Sequence, residues 1–320
     1  MHILSVIAIA FNAFAIYCIL FKSTKQMGIY KWYLLAYQLS STVFDITYMI
    51  FTLPVIFFPV PMGYAASWFA RMFSISGHTA VQMVVTACLC LVASIVNLFV
   101  YRCHVIIPNY HFLKASNNGQ IYATVIIFAL HLLSCPVGIA GIAPDQVEAK
   151  KWCLEEYTCA KSAAFLPQLY FYTPHRLERP AIAATTVGSI SGIICVTCIV
   201  MSSYFLRQNG KLSEKTRQMQ RRFLLYLCIQ VLIPTICMFI PIVTLMYIFG
   251  TTNDTKRDLG NFALALLGTH GCVEAVTVIM CNEPYRTFVT KPLRELWKRK
   301  EVAIVLNSAV SSSGIAHSTS

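Results

Sequence analysis

RQNGKLSEKTRQMQRR, residues Arg207 to Arg222, decides how this chain is read. It lies between two long apolar runs and carries Arg207, Lys211, Lys215, Arg217, Arg221 and Arg222 against a single acid, Glu214. Short segments this rich in Lys and Arg stay on the cytoplasmic side of a membrane, because carrying fixed charge through hydrocarbon is costly. With this strip inside, the runs on either side become spans of known direction. The others follow by alternation.

That a membrane is involved follows from composition: 57% of the 320 residues are hydrophobic and only 12% charged, about half the charge of a soluble domain. Crossing the hydrocarbon takes roughly 20 apolar residues, and seven runs are long enough: about 2–21, 32–58, 77–101, 120–143, 181–206, 223–249 and 260–281. The expected fold is all-α, a seven-transmembrane helix bundle over residues 1–285 with its N-terminus outside and its C-terminus inside. An amphipathic membrane-surface helix is expected over 286–300, where Leu293, Leu296 and Trp297 share one side of KPLRELWKRK, and a disordered Ser-rich tail over 301–320.

A net charge of +12 in a soluble protein would suggest nucleic acid. Here the expected cytoplasmic segments hold three, two, six and six Lys and Arg in chain order, seventeen of the twenty-five, and the outer loops hold one, five and two beside seven acids. The basic balance is therefore a topology signal, and nucleic acid is not an expected partner.

Polar residues inside the spans are the candidate functional ones. Asp45 lies near the middle of the second span, and an ionised Asp in hydrocarbon costs at least about 2.5 kcal/mol, so it should face the bundle interior and have a partner. His270 and Glu274 are one helical turn apart, with Asn282 two turns further on the same stripe. Pro234 and Pro241, two turns apart, would bend the sixth span on one face. Arg102 ends the third span, and the long loop 144–180, with Tyr170, Phe171 and Tyr172, is a natural lid. Most of the thirteen cysteines lie singly within spans and read as small hydrophobes, and there is no zinc-type arrangement. No metal or cofactor is expected.

MGIYKWYLL (Met27–Leu35), PVIFFPVPMGY (Pro54–Tyr64), LSEKTRQMQRRFLLYLCIQVLIP (Leu212–Pro234) and EPYR (Glu283–Arg286) together resemble the nematode seven-helix chemoreceptors of serpentine receptor class H, with class I as its sister. The resemblance implies a G-protein-coupled receptor in the plasma membrane of a ciliated chemosensory neuron, detecting a small lipophilic or volatile molecule. It also implies that Tyr101-Arg102 and Asn282 to Tyr285 correspond to the helix-three and helix-seven ends of rhodopsin-like receptors. The chain departs from those in having no acid before Arg102, no Cys-Trp-x-Pro in the sixth span and no Cys near the outer end of the third. The candidate disulfide is Cys153 to Cys159.

Arg102, Lys215, Arg217, Arg221 and Arg222 are the expected contacts to a heterotrimeric G protein, since they flank the twice-bent span at the cytoplasmic face. The alternative is an ion- or proton-coupled transporter or channel using Asp45, Glu274 and His270. Such proteins usually carry an internal repeat, and none is visible. An enzyme is not expected, as neither GxSxG nor HExxH occurs.

Overall fold

The computed structural model describes residues 2–58, 60–139, 145–157, 166, 168–208, 213–250 and 257–292. The helices are α1 (His2–Phe21), α2 (Tyr30–Ile46), α3 (Trp68–Met72), α4 (Gly77–Ile106), α5 (Asn117–Ile139), α6 (Gln146–Glu156), α7 (Pro174–Gln208), α8 (Glu214–Gly250), α9 (Arg257–Leu267) and α10 (His270–Cys281). The strands are β1 (Pro54–Ile56), β2 (Met62–Ala65) and β3 (Tyr170–Phe171).

Among the described residues, seven helical columns form a closed ring. α4 packs on α2, α5 and α7; α7 meets α8; α8 packs on α9 and α10; and α1 closes the circle between α10 and α2. The main core lies between them, with Leu34, Tyr37, Leu91, Leu98, Leu227, Val278 and Tyr285 all buried. Five of the described helices are long and apolar enough to cross a membrane. α2 with its continuation and α5 are the remaining two columns.

Several boundaries differ from the sequence expectation, each for a local reason. The second column begins at Tyr30, passes into a π-helical turn over Thr47–Thr52 and stops at Leu53 in a left-handed conformation. The residue before a proline resists helix, and Pro54 has no N–H to continue one. Residues 54–58, expected to be helical, instead form β1 and the turn after it.

The basic strip is not a loop throughout: Arg207 and Gln208 end α7, and Glu214 to Arg222 form the first turns of α8. Ser213 caps that helix, accepting the Thr216 N–H at 3.3 Å, and the Lys, Arg, Gln and Glu that follow are good helix formers. α8 stays helical through Pro234 and Pro241. The seventh column is broken at Gly268-Thr269 into α9 and α10. Residues 283–292 are helical again. Lys211, residues 251–256 and 293–320, which hold much of the amphipathic segment and all of the tail, lie outside the described residues.

A small cap covers one end of the ring. β1 pairs antiparallel with β2 (Val55 opposite Tyr64), and β2 with β3 (Gly63 opposite Tyr170). Gly63 is needed in this register because a Cβ there would meet the Val55 carbonyl oxygen at 2.5 Å. α6 lies against the sheet through Val60, Met62, Ala149, Cys153, Tyr157 and Phe171, a hydrophobic core of the cap's own. Asp145 accepts the Val147 N–H at the start of α6. The Gln146 amide then clasps the backbone of Phe171, receiving its N–H at 3.0 Å and donating to its carbonyl at 3.2 Å.

Candidate functional site

At the cap end, Tyr170 and Tyr172 lean onto the first turns of α4. The His78 ring stacks on Tyr170 at 5.8 Å between centroids, its Nδ1 lies 3.3 Å from the Tyr172 hydroxyl, and its Nε2 lies 3.1 Å from Gln82 Nε2. Tyr172 belongs to the same hydrophobic cluster as Val85 and Leu89 of α4. Burial pushes the Tyr172 phenol well above its ordinary value, so it stays protonated and can donate. The result is a half-buried mouth with an aromatic wall and three hydrogen-bonding groups. Among the described residues, the side chains that meet here carry no carboxylate, ammonium or guanidinium.

Midway through the bundle, Asp45 is buried on α2. Its carboxylate receives Asn12 Nδ2 from α1 at 2.6 Å, and Gln38 Nε2, two turns back on α2, donates to Asn12 Oδ1 at 2.7 Å. The carboxylate oxygen that receives Asn12 also lies against the Gly271 backbone. The break at Gly268-Thr269 exposes the first N–H groups of α10, and in an apolar interior these require a partner. Thr269 does not supply one from its side chain. Asp45, from another helix, brings its carboxylate to this end of α10, where the positive end of the helix dipole lies. The approach is close enough that a Cβ on Gly271 would overlap the carboxylate. On the other side of the break, Tyr48 donates to the Leu264 carbonyl at 2.9 Å.

His270, Glu274 and Asn282 are all buried on the same column, but they do not form one site with Asp45. His270 Nε2 lies 3.9 Å from Glu274 Oε2. The Tyr37 and Ser41 hydroxyls of α2 face the Glu274 carboxyl without closing a hydrogen bond of good geometry. Asn282 turns instead to α8, donating to Gln230 Oε1 at 3.0 Å and to the Val278 carbonyl at 2.8 Å. Among the described residues no three His, Cys, Asp or Glu side chains converge as a metal set.

At the opposite end from the cap, Arg102 is 9% exposed. Its guanidinium lies 3.2 Å from the centroid of Phe223 on α8 and 4.3 Å from that of Tyr30 on α2, and these two rings meet edge to face at 5.0 Å. Tyr101 stacks on Tyr33 at 4.4 Å beside them. The expected contact residues therefore divide: Lys215, Arg221 and Arg222 are exposed, Arg217 is half-buried and paired with Glu214, and Arg102 is enclosed. Tyr285 is fully buried, its hydroxyl 2.7 Å from Ser23 Oγ. Cys153 is buried in the cap core, whereas Cys159 lies outside the described residues.

Asn12, Gln38, Gln230, Tyr30, Phe223, His78 and Gln82 did not stand out in the sequence. Gln38 carried a usable signal, since it precedes Asp45 by two helical turns and shares its face. Phe223 and Tyr30 carried none, because one more aromatic at a span end is ordinary.

Comparison with known proteins agrees with this architecture. The family model of the serpentine type 7TM GPCR chemoreceptor Srh matches residues 1–295. No curated protein matches the chain. A crystal structure of squid rhodopsin is similar in fold, with a TM-score of 0.51 at 11% identity, covering 92% of this chain and 83% of that one. The chain belongs to the Srh family: it is a multi-pass membrane protein and a G-protein-coupled chemosensory receptor. The family is one of receptors, not of enzymes.

Proposed function

We propose that this receptor takes a small, uncharged, lipophilic or volatile molecule at the mouth beneath the cap and couples its binding to release of Arg102 at the far end. The observation that carries the reading is the enclosure of Arg102 between Tyr30 and Phe223, which ties α2, α4 and α8 together where α8 presents its basic turns. A cation held on aromatic faces away from water contributes about 2 kcal/mol. Moving α8 outward removes Phe223 from Arg102 and opens a crevice rimmed by Arg102, Lys215, Arg221 and Arg222. An Arg there can form paired hydrogen bonds with carboxylates or carbonyls of a docking G-protein segment.

The seventeen-to-eight division of Lys and Arg supports an orientation with this end in the cytoplasm and the cap outside. Family membership supports the plasma membrane of a chemosensory neuron, including its sensory cilium. The expected outer segment 144–180 holds both Cys153 and Cys159, which supports a disulfide between them.

The test uses an unlatched background, Phe223→Ala, which is expected to exchange nucleotide on a G protein without ligand. Adding Arg221→Lys and Arg222→Lys keeps the charge and removes the planar fork. Exchange should fall while surface level and the cytoplasmic position of a tag after Ser320 persist. Undiminished exchange would show that the two arginines serve only topology and anionic lipid, worth about 1 kcal/mol per charge.

A further inference from the structure

The three hydrogen-bonding groups at the mouth form a chain with a direction. Gln82 Nε2 is an amide nitrogen and can only donate, so at 3.1 Å it makes His78 Nε2 the acceptor. A neutral imidazole that accepts at Nε2 carries its proton on Nδ1, and that N–H donates to the Tyr172 oxygen 3.3 Å away. The Tyr172 proton is left over. Among the described residues the Tyr172 hydroxyl has no second partner. Backbone contacts hold this donor in place: the Tyr172 N–H donates to the Pro61 carbonyl at 2.8 Å. Tyr170, whose ring lies 4.9 Å from that of Tyr172, closes over Gly77, where a Cβ would meet Tyr170 Cβ at 2.6 Å.

We propose that the mouth selects a carbonyl compound, a ketone, aldehyde or ester, whose oxygen accepts the Tyr172 proton while its apolar body lies along the aromatic wall. This rests on the reading of the mouth as the ligand site, and it names what that site takes. A hydrocarbon of the same shape displaces water from the phenol and gives its proton nothing in return, which is costly away from solvent. An alcohol can accept the Tyr172 proton, but its own O–H then needs an acceptor. The side-chain acceptor of the chain, Gln82 Oε1, lies at the opposite end, beyond the imidazole ring. A carbonyl oxygen accepts without bringing a proton of its own, so it alone leaves every group at this end paired.

The experiment photolabels full-length receptor in membranes with benzophenone, a diaryl ketone whose excited carbonyl inserts into a neighbouring C–H bond and so marks where its oxygen lies. Mass spectrometry should place a saturable label on Tyr172 or the first turns of α4. Dicyclohexyl ketone should displace it at a concentration about fivefold below that needed of dicyclohexylmethanol, the worth of one hydrogen bond. In Tyr172→Phe, which keeps the ring, this lead should vanish while dicyclohexylmethane competes as before and reports an intact mouth. A mouth label that the alcohol displaces as well as the ketone, or a lead that survives in Tyr172→Phe, would overturn the carbonyl preference and leave the mouth as the ligand site. Saturable label found only elsewhere would overturn the mouth itself, and the preference with it. The ketone-to-alcohol ranking is read on the unmutated chain, so poor folding of the variant does not affect it.

Discussion

The Arg102 guanidinium sits 3.2 Å from the centroid of the Phe223 ring, so the only tie of this charged group toward α8 among the described contacts is to an aromatic face. Rhodopsin-like receptors are the fold relatives of this chain, yet the residue before Arg102 is Tyr101, not an acid. The charge is stabilised by rings in place of a carboxylate.

Removing the ring should therefore loosen the resting state. Phe223→Ala is expected to shift the closed-to-open balance by about 2 kcal/mol, roughly 30-fold, and to raise ligand-independent nucleotide exchange, whereas Phe223→Tyr retains an aromatic face and should stay near the unmutated level. Guanine-nucleotide exchange in membranes, normalised to surface receptor, measures this; equal basal rates in all three would remove the latch from the mechanism.

Gly271→Ala forces a methyl group into the Asp45 carboxylate. Overpacking of this kind costs about 1–3 kcal/mol. The thermal midpoint of purified receptor should drop. Adding Asp45→Ala makes room for the methyl, so the double variant should lose less than the two single losses combined; strict additivity would mean that the two residues do not meet.

Asn12→Leu removes one of the donors that hold the Asp45 carboxylate inside the bundle. A hydrogen bond to a charged group contributes about 1.5–3 kcal/mol, and the lost stability should be of that order by denaturant or thermal unfolding. Asp45→Asn keeps one acceptor oxygen for Asn12, turns the other into an amide donor and removes the charge. It should alter exchange more than surface level, and a loss of folding without a separable signalling change would assign Asp45 to packing alone.

The cap can be tested away from the bundle. Gln146→Ala deletes both bonds to Phe171, about 1 kcal/mol each, and should speed hydrogen exchange at the Phe171 amide and protease cleavage near it. The Asn12–Asp45 region should exchange as before. Unchanged protection at Phe171 would show that the apolar packing of α6 on the sheet holds the cap unaided.

Seven apolar runs, a basic strip at one end and isolated polar residues within spans were enough to define the helix bundle, because hydrophobic length and charge are properties of local sequence. The same logic marked Asp45, His270 and Glu274 as costly residues that must face inward. Local sequence could not say which partner each would find. Asp45 meets Asn12 and the backbone of Gly271, groups 33 residues before it and far beyond it in the chain, while Glu274 faces Tyr37 and Ser41. These pairings depend on the rotation and axial offset of whole helices, which the pattern of one span does not encode. The break at Gly268-Thr269 shows the limit most clearly. A Gly-Thr pair is tolerated within many spans, and here it becomes an interruption stabilised by a carboxylate from α2. The sequence alone determined that this chain is a membrane bundle and where its charge lies; tertiary packing alone decided that Arg102 rests on Phe223 and that Asp45 meets Asn12 and lies against Gly271, because each of these contacts joins residues that only helix-against-helix geometry brings together.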